Sequence, residues 1–191
     1  MTTILNVNDD IVLRQLAPED YLDIFDTIDQ QREYLGRWLP FVETTIVPGD
    51  TKRFIEASVN QESERFEYVF TIRYKDQFGG LVGFKASDRV NRKTEIGYWL
   101  SQDLQGKGIV TSCVERACRF AFDELNMNRI QIRCAVGNDK SKAIPLRLGF
   151  VFEGIERDGE WAGGEAFRDI ETYGKLKKDT ANPLQTCDSK Y

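Results

Sequence analysis

The first part of the chain has the hydrophobic spacing of one short strand followed by helices. Residues 11–16 are mostly apolar and suit a strand, and Pro18 then opens a helix. The apolar positions of that helix follow a spacing of i, i+3, i+4 and i+7: Tyr21, Ile24, Phe25 and Ile28. Residues 33–41 indicate a shorter helical segment that stops before Pro40. Asp50 is the expected N-cap of a further helix with a narrow inner stripe: Phe54, Ile55, Ser58 and Val59.

Three strand-like segments follow, and their order predicts an antiparallel meander. Residues 66–74 place alternate apolar side chains on one face: Phe66, Tyr68, Phe70, Ile72 and Tyr74. The sequence KDQFGG predicts a turn after them. Residues 81–87 and 94–100 are two more strands, separated by the polar link DRVNRK.

The pattern then changes to a long amphipathic helix. Its apolar face is marked by Val110, Cys113, Val114, Ala117, Cys118, Ala121 and Leu125. Residues 129–136 alternate as a strand, and a strand, a long helix and another strand predict a right-handed crossover between parallel neighbours. A short helix over 139–148 follows, with strands near 150–157 and 166–176.

This order of elements predicts an α/β fold of the mixed, α+β kind. It reads β-α-α-β-β-β-α-β-α-β-β, so we expect a central, mostly antiparallel sheet with helices on both sides and one β-α-β crossover. Residues 1–178 carry no internal repeat and no linker, which predicts one domain. Residues 179–191 are polar and are expected to form a flexible tail.

Composition limits the chemistry that this chain can perform. It has no histidine among 191 residues, which excludes Ser-His-Asp and Cys-His mechanisms and zinc sites with histidine ligands. A general base must therefore be a carboxylate, a tyrosine, a lysine or water. We expect no metal. Three of the four cysteines fall on apolar faces and are expected to be small buried residues: Cys113, Cys118 and Cys134.

Charge and hydropathy bear on partners and location. The formal net charge of −5 argues against direct nucleic-acid binding and would suit a cationic substrate, although it is also an ordinary acidity for a soluble protein. No apolar run has the length of a membrane span, and the first residues lack the layout of a signal peptide. We therefore expect a cytoplasmic protein with no membrane partner.

The segment LQGKGIVTS, residues 104–112, places two glycines ahead of the long helix. Gly106 and Gly108 would let the amides at the helix N-terminus approach a phosphate, and Lys107 adds positive charge. The same glycines could simply form a structural turn. The spacing argues against ATP, since a Walker loop needs four residues between its glycines, and against NAD, since Thr111 occupies the place of a third glycine.

The loop resembles the Gln/Arg-x-x-Gly-x-Gly/Ala signature of the Gcn5-related N-acetyltransferases (GNAT). The matching residues are Gln105, Gly106, Lys107, Gly108, Ile109 and Val110, of which Val110 departs from the usual glycine or alanine. Residues 136–154 resemble the family's downstream Asn-x-x-Ser…Leu-Gly-Phe segment. Residues 157–176, with the sequence DGEW, resemble the closing hairpin of the ribosomal-protein serine/alanine N-terminal acetyltransferases.

The resemblance implies an acetyl-CoA site. The loop amides would hold the pyrophosphate, and two parallel strands, 94–100 and 129–136, would separate so that the pantetheine arm fills the gap. The backbone of three residues on the first of these strands would pair with the arm: Tyr98, Trp99 and Leu100. Asn138 would bond the pantetheine amides, and it could equally be the N-cap of the next helix.

The resemblance also assigns catalytic roles. Many GNAT enzymes use a tyrosine to protonate the departing thiolate, and Pro145 occupies that position here. Ser141, three residues after Asn138, is the matching alternative donor, and it could instead be an ordinary first-turn residue. Glu160 matches the proposed base of the branch, in a loop that would lie near the acyl carbon, and it could otherwise be an exposed turn glutamate. Asp158 is the second base candidate.

These residues predict transfer of an acetyl group from acetyl-CoA to a primary amine. The branch points to the N-terminal α-amino group of a ribosomal protein, and the expected acceptor walls are Trp38, Trp161 and Glu33. Two other functions stay open: acetylation of a polyamine, amino sugar or antibiotic amine, and a non-catalytic acyl-CoA-binding module. Members of this branch often form dimers, so the resemblance also implies a possible homodimer.

Overall fold

The structure is a computed structural model that describes residues 2–65 and 67–180, with the backbone alone for residues 60–65. Its strands are β1 (Ile4–Asn6), β2 (Ile11–Gln15), β3 (Val69–Tyr74), β4 (Gln77–Asp88), β5 (Lys93–Leu100), β6 (Arg129–Ala135), β7 (Val151–Gly163) and β8 (Ala166–Leu176). Its helices are α1 (Tyr21–Gln30), α2 (Arg32–Gly36), α3 (Phe41–Thr44), α4 (Pro48–Arg65), α5 (Ile109–Arg119) and α6 (Asp139–Arg147).

The strands form one eight-stranded sheet in the order β1-β2-β3-β4-β5-β6-β8-β7. The pairing of β5 with β6 is parallel, and the other neighbouring pairs are antiparallel. Helix α5 connects the two parallel strands. The predicted mixed sheet with one β-α-β crossover is therefore confirmed.

The sheet separates two hydrophobic clusters. The larger one joins buried side chains of the sheet to α5 and α6, with Cys113, Ala117 and Ile144 among its members. The smaller one joins the other face of the sheet to α1–α4 and includes Ile55 and Trp99. Because successive strand residues point to opposite faces, β4 and β5 contribute to both clusters.

Strands β5 and β6 pair over a short distance and then separate. Their register covers only Lys93↔Arg129, Thr94↔Ile130 and Glu95↔Gln131. On its other side β5 stays paired with β4 as far as Leu100. The second half of β5 therefore has one paired edge, and its other edge faces the gap toward β6.

The helices differ from the predicted ones in three details. The helical segment predicted to stop before Pro40 is α2, which already ends at Gly36, and Pro40 is the N-cap of a further short helix, α3. Asp50 lies inside α4 and accepts from the amides of Ile46 and Val47, so it caps the helix from within rather than as the N-cap. Phe54 and Val59 are exposed, because the inner face of α4 is centred on Ile55.

The strands also differ at several ends. Strand β1 had no clear sequence signal, since it is three residues long and buries only Leu5. The turn before β4 is Lys75-Asp76, both with positive φ, so the glycines of the predicted turn lie in the strand. Strand β7 continues through Glu160 to Gly163, beyond the predicted end near 157. Phe66 lies outside the described residues.

The long predicted helix ends as a π-helix over Phe120–Glu124, where the amide of Leu125 donates to the carbonyl of Phe120. Among residues 2–65 and 67–180, no helix combines the length and apolar character needed to cross a membrane. Cys113, Cys118 and Cys134 are free and buried, as predicted. Residues 181–191, most of the predicted tail with Cys187, lie outside the described residues.

Candidate active site

A groove of about 840 Å³ lies where β5 leaves β6, and residues from both sides of the sheet line it. From the α1–α4 side it is lined by Tyr34, Leu35, Trp38 and Leu39. From the other side it is lined by the start of α5 and by one face of α6, including Asn138, Ser141 and Ile144. The gap between the strands thus connects the two faces of the sheet.

The glycine loop forms one end of this groove. Gly106 and Gly108 have φ angles of 75° and 73°, in the left-handed region that glycine adopts most readily. A Cβ on either would meet no other atom within 4 Å, so the space above the loop is open. Gly108 is the N-cap of α5, whose first amides lack partners within the helix. This geometry fits a bound phosphate.

Side chains around the loop add polar contacts that the sequence did not reveal. The side-chain amide of Gln105 donates to the hydroxyl of Tyr34 on α2, and its oxygen accepts from Nζ of Lys140 on α6 at 2.8 Å. Arg147 lies two turns further along α6 and also lines the groove. The charged side chains that line the groove are therefore both cations, which suits a phosphate-bearing ligand.

Lys107 lies outside the groove lining. Its ammonium group is 5.4 Å from the centre of the Tyr74 ring, on the flank of the loop. Its charge can contribute to the local potential, but its side chain points to the aromatic ring. The loop therefore offers an anion its backbone amides rather than its lysine.

Two hydroxyl groups meet at the centre of the groove. The hydroxyl of Tyr98, on the open half of β5, donates to the carbonyl of Ser141 at 3.0 Å. Oγ of Ser141 donates to Oη of Tyr98 at 3.2 Å and lies 3.4 Å from Sγ of Cys134. Burial raises the pKa of Tyr98 above its ordinary value, which already leaves the hydroxyl protonated at neutral pH.

The other residues expected on this side have structural contacts as well. Asn138 is the N-cap of α6, and its Oδ1 accepts from the amide of Ser141 at 3.2 Å. Any contact with a ligand would therefore use its Nδ2. The side chain of Trp99 packs against Phe78 in the smaller cluster, so only its backbone faces the gap. Ile109 is buried beneath the start of α5.

Glu160 lies in strand β7 itself, after a bulge, and not in the loop predicted for it. Its carboxylate is 3.4 Å from Nε of Arg168, on the neighbouring strand. Arg168 also donates to the carbonyl of Arg37, beside the groove residue Trp38. Glu160 does not itself line the groove, and Arg168 connects it to the backbone of Arg37, next to Trp38.

Asp158 occupies the bulge before Glu160. Its φ of 50° and the contact of its amide with Asp169 at 2.9 Å are those of a turn residue. Of the predicted acceptor walls, only Trp38 lines the groove. Trp161 lies at the hairpin tip, where its ring nitrogen donates to Gly164, and Glu33 is exposed.

Several groove residues were missed from the sequence, among them Tyr34, Leu104, Lys140 and Arg147. Lys140, Ile144 and Arg147 share one helical face at a spacing of i, i+4 and i+7, together with Ser141. That spacing could have indicated a cationic face over the loop. Tyr34 had no such signal, because its approach depends on how α2 packs.

This geometry matches a known family. The model of the acetyltransferase (GNAT) domain matches residues 10–151 of the chain. The chain belongs to the GNAT acetyltransferases. It is therefore an acetyltransferase, and the predicted family and fold are confirmed. Its membership also sets aside the non-catalytic acyl-CoA-binding alternative.

Similar GNAT proteins act on different acceptors. A Bacillus subtilis (strain 168) protein provisionally named a ribosomal N-acetyltransferase is 36% identical over 177 residues, which cover 91% of this chain and 94% of that protein. The ribosomal-protein-serine acetyltransferase of Escherichia coli (strain K12) is 24% identical over 92% of this chain and 98% of its own. A microcin C7 self-immunity acetyltransferase, solved with acetyl-CoA and AMP, is 31% identical with a TM-score of 0.85, and covers 89% of this chain and 94% of its own.

Proposed function

We propose that this GNAT enzyme transfers the acetyl group of acetyl-CoA to the α-amino group at the N-terminus of a protein, with a ribosomal protein as acceptor. The observation that carries the proposal is the separation of β5 from β6 beyond Glu95 and Gln131, which opens the groove through the sheet. The acceptor class follows from the names of two relatives that align over nearly the whole chain.

The residues around the groove fit acetyl-CoA. The amides of residues 105–110 would hold the pyrophosphate, and Lys140 and Arg147 supply positive charge nearby. The backbone of Tyr98, Trp99 and Leu100 is the open edge that would pair with the pantetheine arm. Asn138 would donate to that arm through Nδ2.

Bound there, acetyl-CoA supplies an activated acetyl group, and the chain supplies positioning and proton transfer. A C–N bond forms to the amine while the C–S bond breaks, and the electron pair of the C–S bond leaves with sulfur. Ser141 is the proposed donor to that sulfur, since its hydroxyl lies at the gap. No metal and no covalent enzyme adduct is part of this scheme.

Glu160 is the proposed base. An N-terminal amine has an ordinary pKa of ~7.7–8.0, so a large share is protonated near neutral pH and must lose its proton before it attacks. The carboxylate would accept that proton directly or through water. Arg168 orients the carboxylate and ties it to the backbone beside Trp38, on the acceptor side of the sheet.

A small-molecule amine is the second candidate acceptor. The observation that favours it is the 31% identity with an acetyltransferase solved with acetyl-CoA and AMP. The open lining around Trp38 and Leu39 would admit a small amine as readily as an extended peptide.

Mass spectrometry of acetylated products distinguishes the two. The enzyme is incubated with acetyl-CoA and either N-terminal peptides of ribosomal proteins, polyamines, or aminoglycosides and amino sugars. The proposal expects the peptides to have the highest kcat/KM, with the acetyl group on the α-amine rather than on lysine. Turnover confined to the small amines would replace the protein acceptor with the second candidate.

A further inference from the structure

Pro145 changes the hydrogen bonding of α6 at the groove. In a regular helix the amide of residue 145 would donate to the carbonyl of Ser141, four residues earlier. Proline has no amide hydrogen, so that carbonyl lacks its helical partner. The hydroxyl of Tyr98 takes its place at 3.0 Å. The proline therefore leaves an acceptor on α6 that the phenol of Tyr98, on β5, can satisfy.

The same contact brings the phenol to the side chain of Ser141. Oγ of Ser141 lies 3.2 Å from Oη of Tyr98, and Sγ of Cys134 lies 3.4 Å from that Oγ on its other side. Either Sγ of Cys134 or Oγ of Ser141 can be the donor in this second contact. The rotamer of Ser141 is thus held from two directions within the groove wall.

We propose that Tyr98 is a positioning residue for Ser141 and supports its hydrogen bond to the departing sulfur of CoA. This inference rests on the donor role proposed above for Ser141. When the serine proton turns toward sulfur, the single phenol proton of Tyr98 turns from the carbonyl of Ser141 to Oγ. A chain of two hydroxyls then carries the growing negative charge, and each hydrogen bond strengthens the other.

The raised pKa of Tyr98 agrees with this role. An ordinary phenol is already protonated in the neutral range and burial raises the pKa of Tyr98 further, so the hydroxyl is available as a donor and does not itself become the anion. Ser141 is the proposed donor in place of the missing tyrosine at position 145, and Tyr98 supports it without contacting the sulfur. Its effect passes through Oγ of Ser141.

The competing explanation is that Tyr98 only caps the carbonyl of Ser141. Tyr98→Phe removes both contacts, so that substitution alone does not separate the explanations. Adding Pro145→Ala returns a backbone amide to the carbonyl, while Oγ still lacks the phenol. The pair Tyr98→Phe/Pro145→Ala therefore repairs the cap and leaves the positioning contact broken.

The first measurement is the rate of acetyl transfer by Tyr98→Phe, by Ser141→Ala and by the double variant Tyr98→Phe/Ser141→Ala. We expect each single change to lower kcat about tenfold, equivalent to about 1.4 kcal/mol, with the KM for acetyl-CoA within about twofold. The double variant should be no slower than Ser141→Ala, because both changes break one chain. Tyr68→Phe, which alters a ring packed edge-on against Phe120, is the matched control.

The second measurement does not depend on turnover. The thiol of CoA bound to the enzyme is titrated by its ultraviolet thiolate absorbance, with the complex of desulfo-CoA as the blank. Tyr98→Phe and Ser141→Ala should each raise the pKa of that thiol by about one relative to wild type. A contact that only stabilises the helix would leave this pKa unchanged.

The possible outcomes distinguish failure of the positioning role of Tyr98 from failure of the donor role of Ser141. Normal kcat in Tyr98→Phe beside a slow Ser141→Ala, additive losses in the double variant, or full recovery of kcat in Tyr98→Phe/Pro145→Ala would each overturn the role of Tyr98 and leave Ser141 in place. Normal kcat and normal thiol pKa in Ser141→Ala would instead remove the donor itself. The expected result is recovery of thermal stability by Pro145→Ala in the Tyr98→Phe background, with kcat still about tenfold low.

Discussion

Glu95 and Gln131 face each other as the last paired residues of the two parallel strands. The side-chain amide of Gln131 donates to Oε2 of Glu95 at 3.2 Å, which closes the paired section. Beyond them β5 follows β4 and β6 follows β8. The groove lies beyond this point, so the end of the strand pairing sets where the proposed acetyl transfer would take place.

The glycine loop predicts a loss of acetyl-CoA affinity that is separable from backbone strain. Gly108 and Gly149 have nearly equal positive φ angles, 73° and 72°, and neither has an atom within 4 Å of its Cβ position. Alanine should therefore cost about 1–2 kcal/mol of unfolding free energy at either site. Only Gly108→Ala places a methyl group in the groove.

Calorimetry with acetyl-CoA checks this prediction. We expect Gly108→Ala to weaken binding at least about tenfold and Gly149→Ala to bind as wild type does. Equal affinities in the two variants would show that phosphates do not approach the loop.

The cations of α6 predict a salt-dependent contribution to binding. Arg147→Gln should weaken acetyl-CoA binding about three- to fivefold at low ionic strength, because an exposed charge pair contributes up to about 1 kcal/mol. The difference should shrink above about 0.5 M salt, where screening is strong. Arg119→Gln removes an exposed arginine that pairs with Glu115 on α5 and is the control. Equal losses in both variants would point to net charge alone.

The base assignment predicts a loss of turnover from one glutamate of β7 and not from another. Glu160→Gln should lower kcat/KM about 10²-fold or more, with acetyl-CoA affinity unchanged. Glu156 is also on β7 and pairs with Arg133, as Glu160 pairs with Arg168. Glu156→Gln therefore controls for the loss of an ion pair. Steady-state kinetics measures both, and normal turnover in Glu160→Gln would leave the base to water.

Glu171 predicts how stability depends on acid. Burial alone would raise the pKa of this carboxyl, but hydrogen bonds from Tyr173 and Lys142, at 2.5 and 2.9 Å, outweigh burial and lower it. A lowered folded pKa contributes stability above the ordinary glutamate value of about 4.3, and that stability is lost as the pH falls through the folded value. Lys142 belongs to α6, so this contact also ties the groove wall to β8.

Urea unfolding at several pH values tests that contact. Glu171→Gln should be about 1–2 kcal/mol less stable than wild type at pH 7, and the difference should disappear well below pH 4. Glu165→Gln, at the exposed hairpin tip, should be as stable as wild type at pH 7 and well below pH 4. A deficit that is constant with pH would assign the effect to packing.

The sequence predicts the fold because its periodicity agrees with the final packing. The alternation of Ile130, Ile132 and Cys134 matches the buried face of β6, and the glycines before α5 leave open space above the loop, as predicted for them. The predictions fail where tertiary contacts decide. Phe54 suits an inner face by spacing alone, but the orientation of α4 exposes it.

The site shows the same limit. Ser141 was found because a motif places it three residues after Asn138, whereas the hydroxyl of Tyr98 meets it across 43 positions of sequence. Periodicity carries no information about contacts at that separation. The consequence of Pro145 was also hidden, since a missing amide matters only once the group that replaces it is known.

A crystal structure of the enzyme with CoA tests the central claim most directly. The account predicts that CoA lies between β5 and β6, with its pyrophosphate on the amides of residues 105–110 and its sulfur within hydrogen-bond distance of Oγ of Ser141. A pyrophosphate bound elsewhere, or a sulfur separated from Ser141 by the width of the groove, would contradict it.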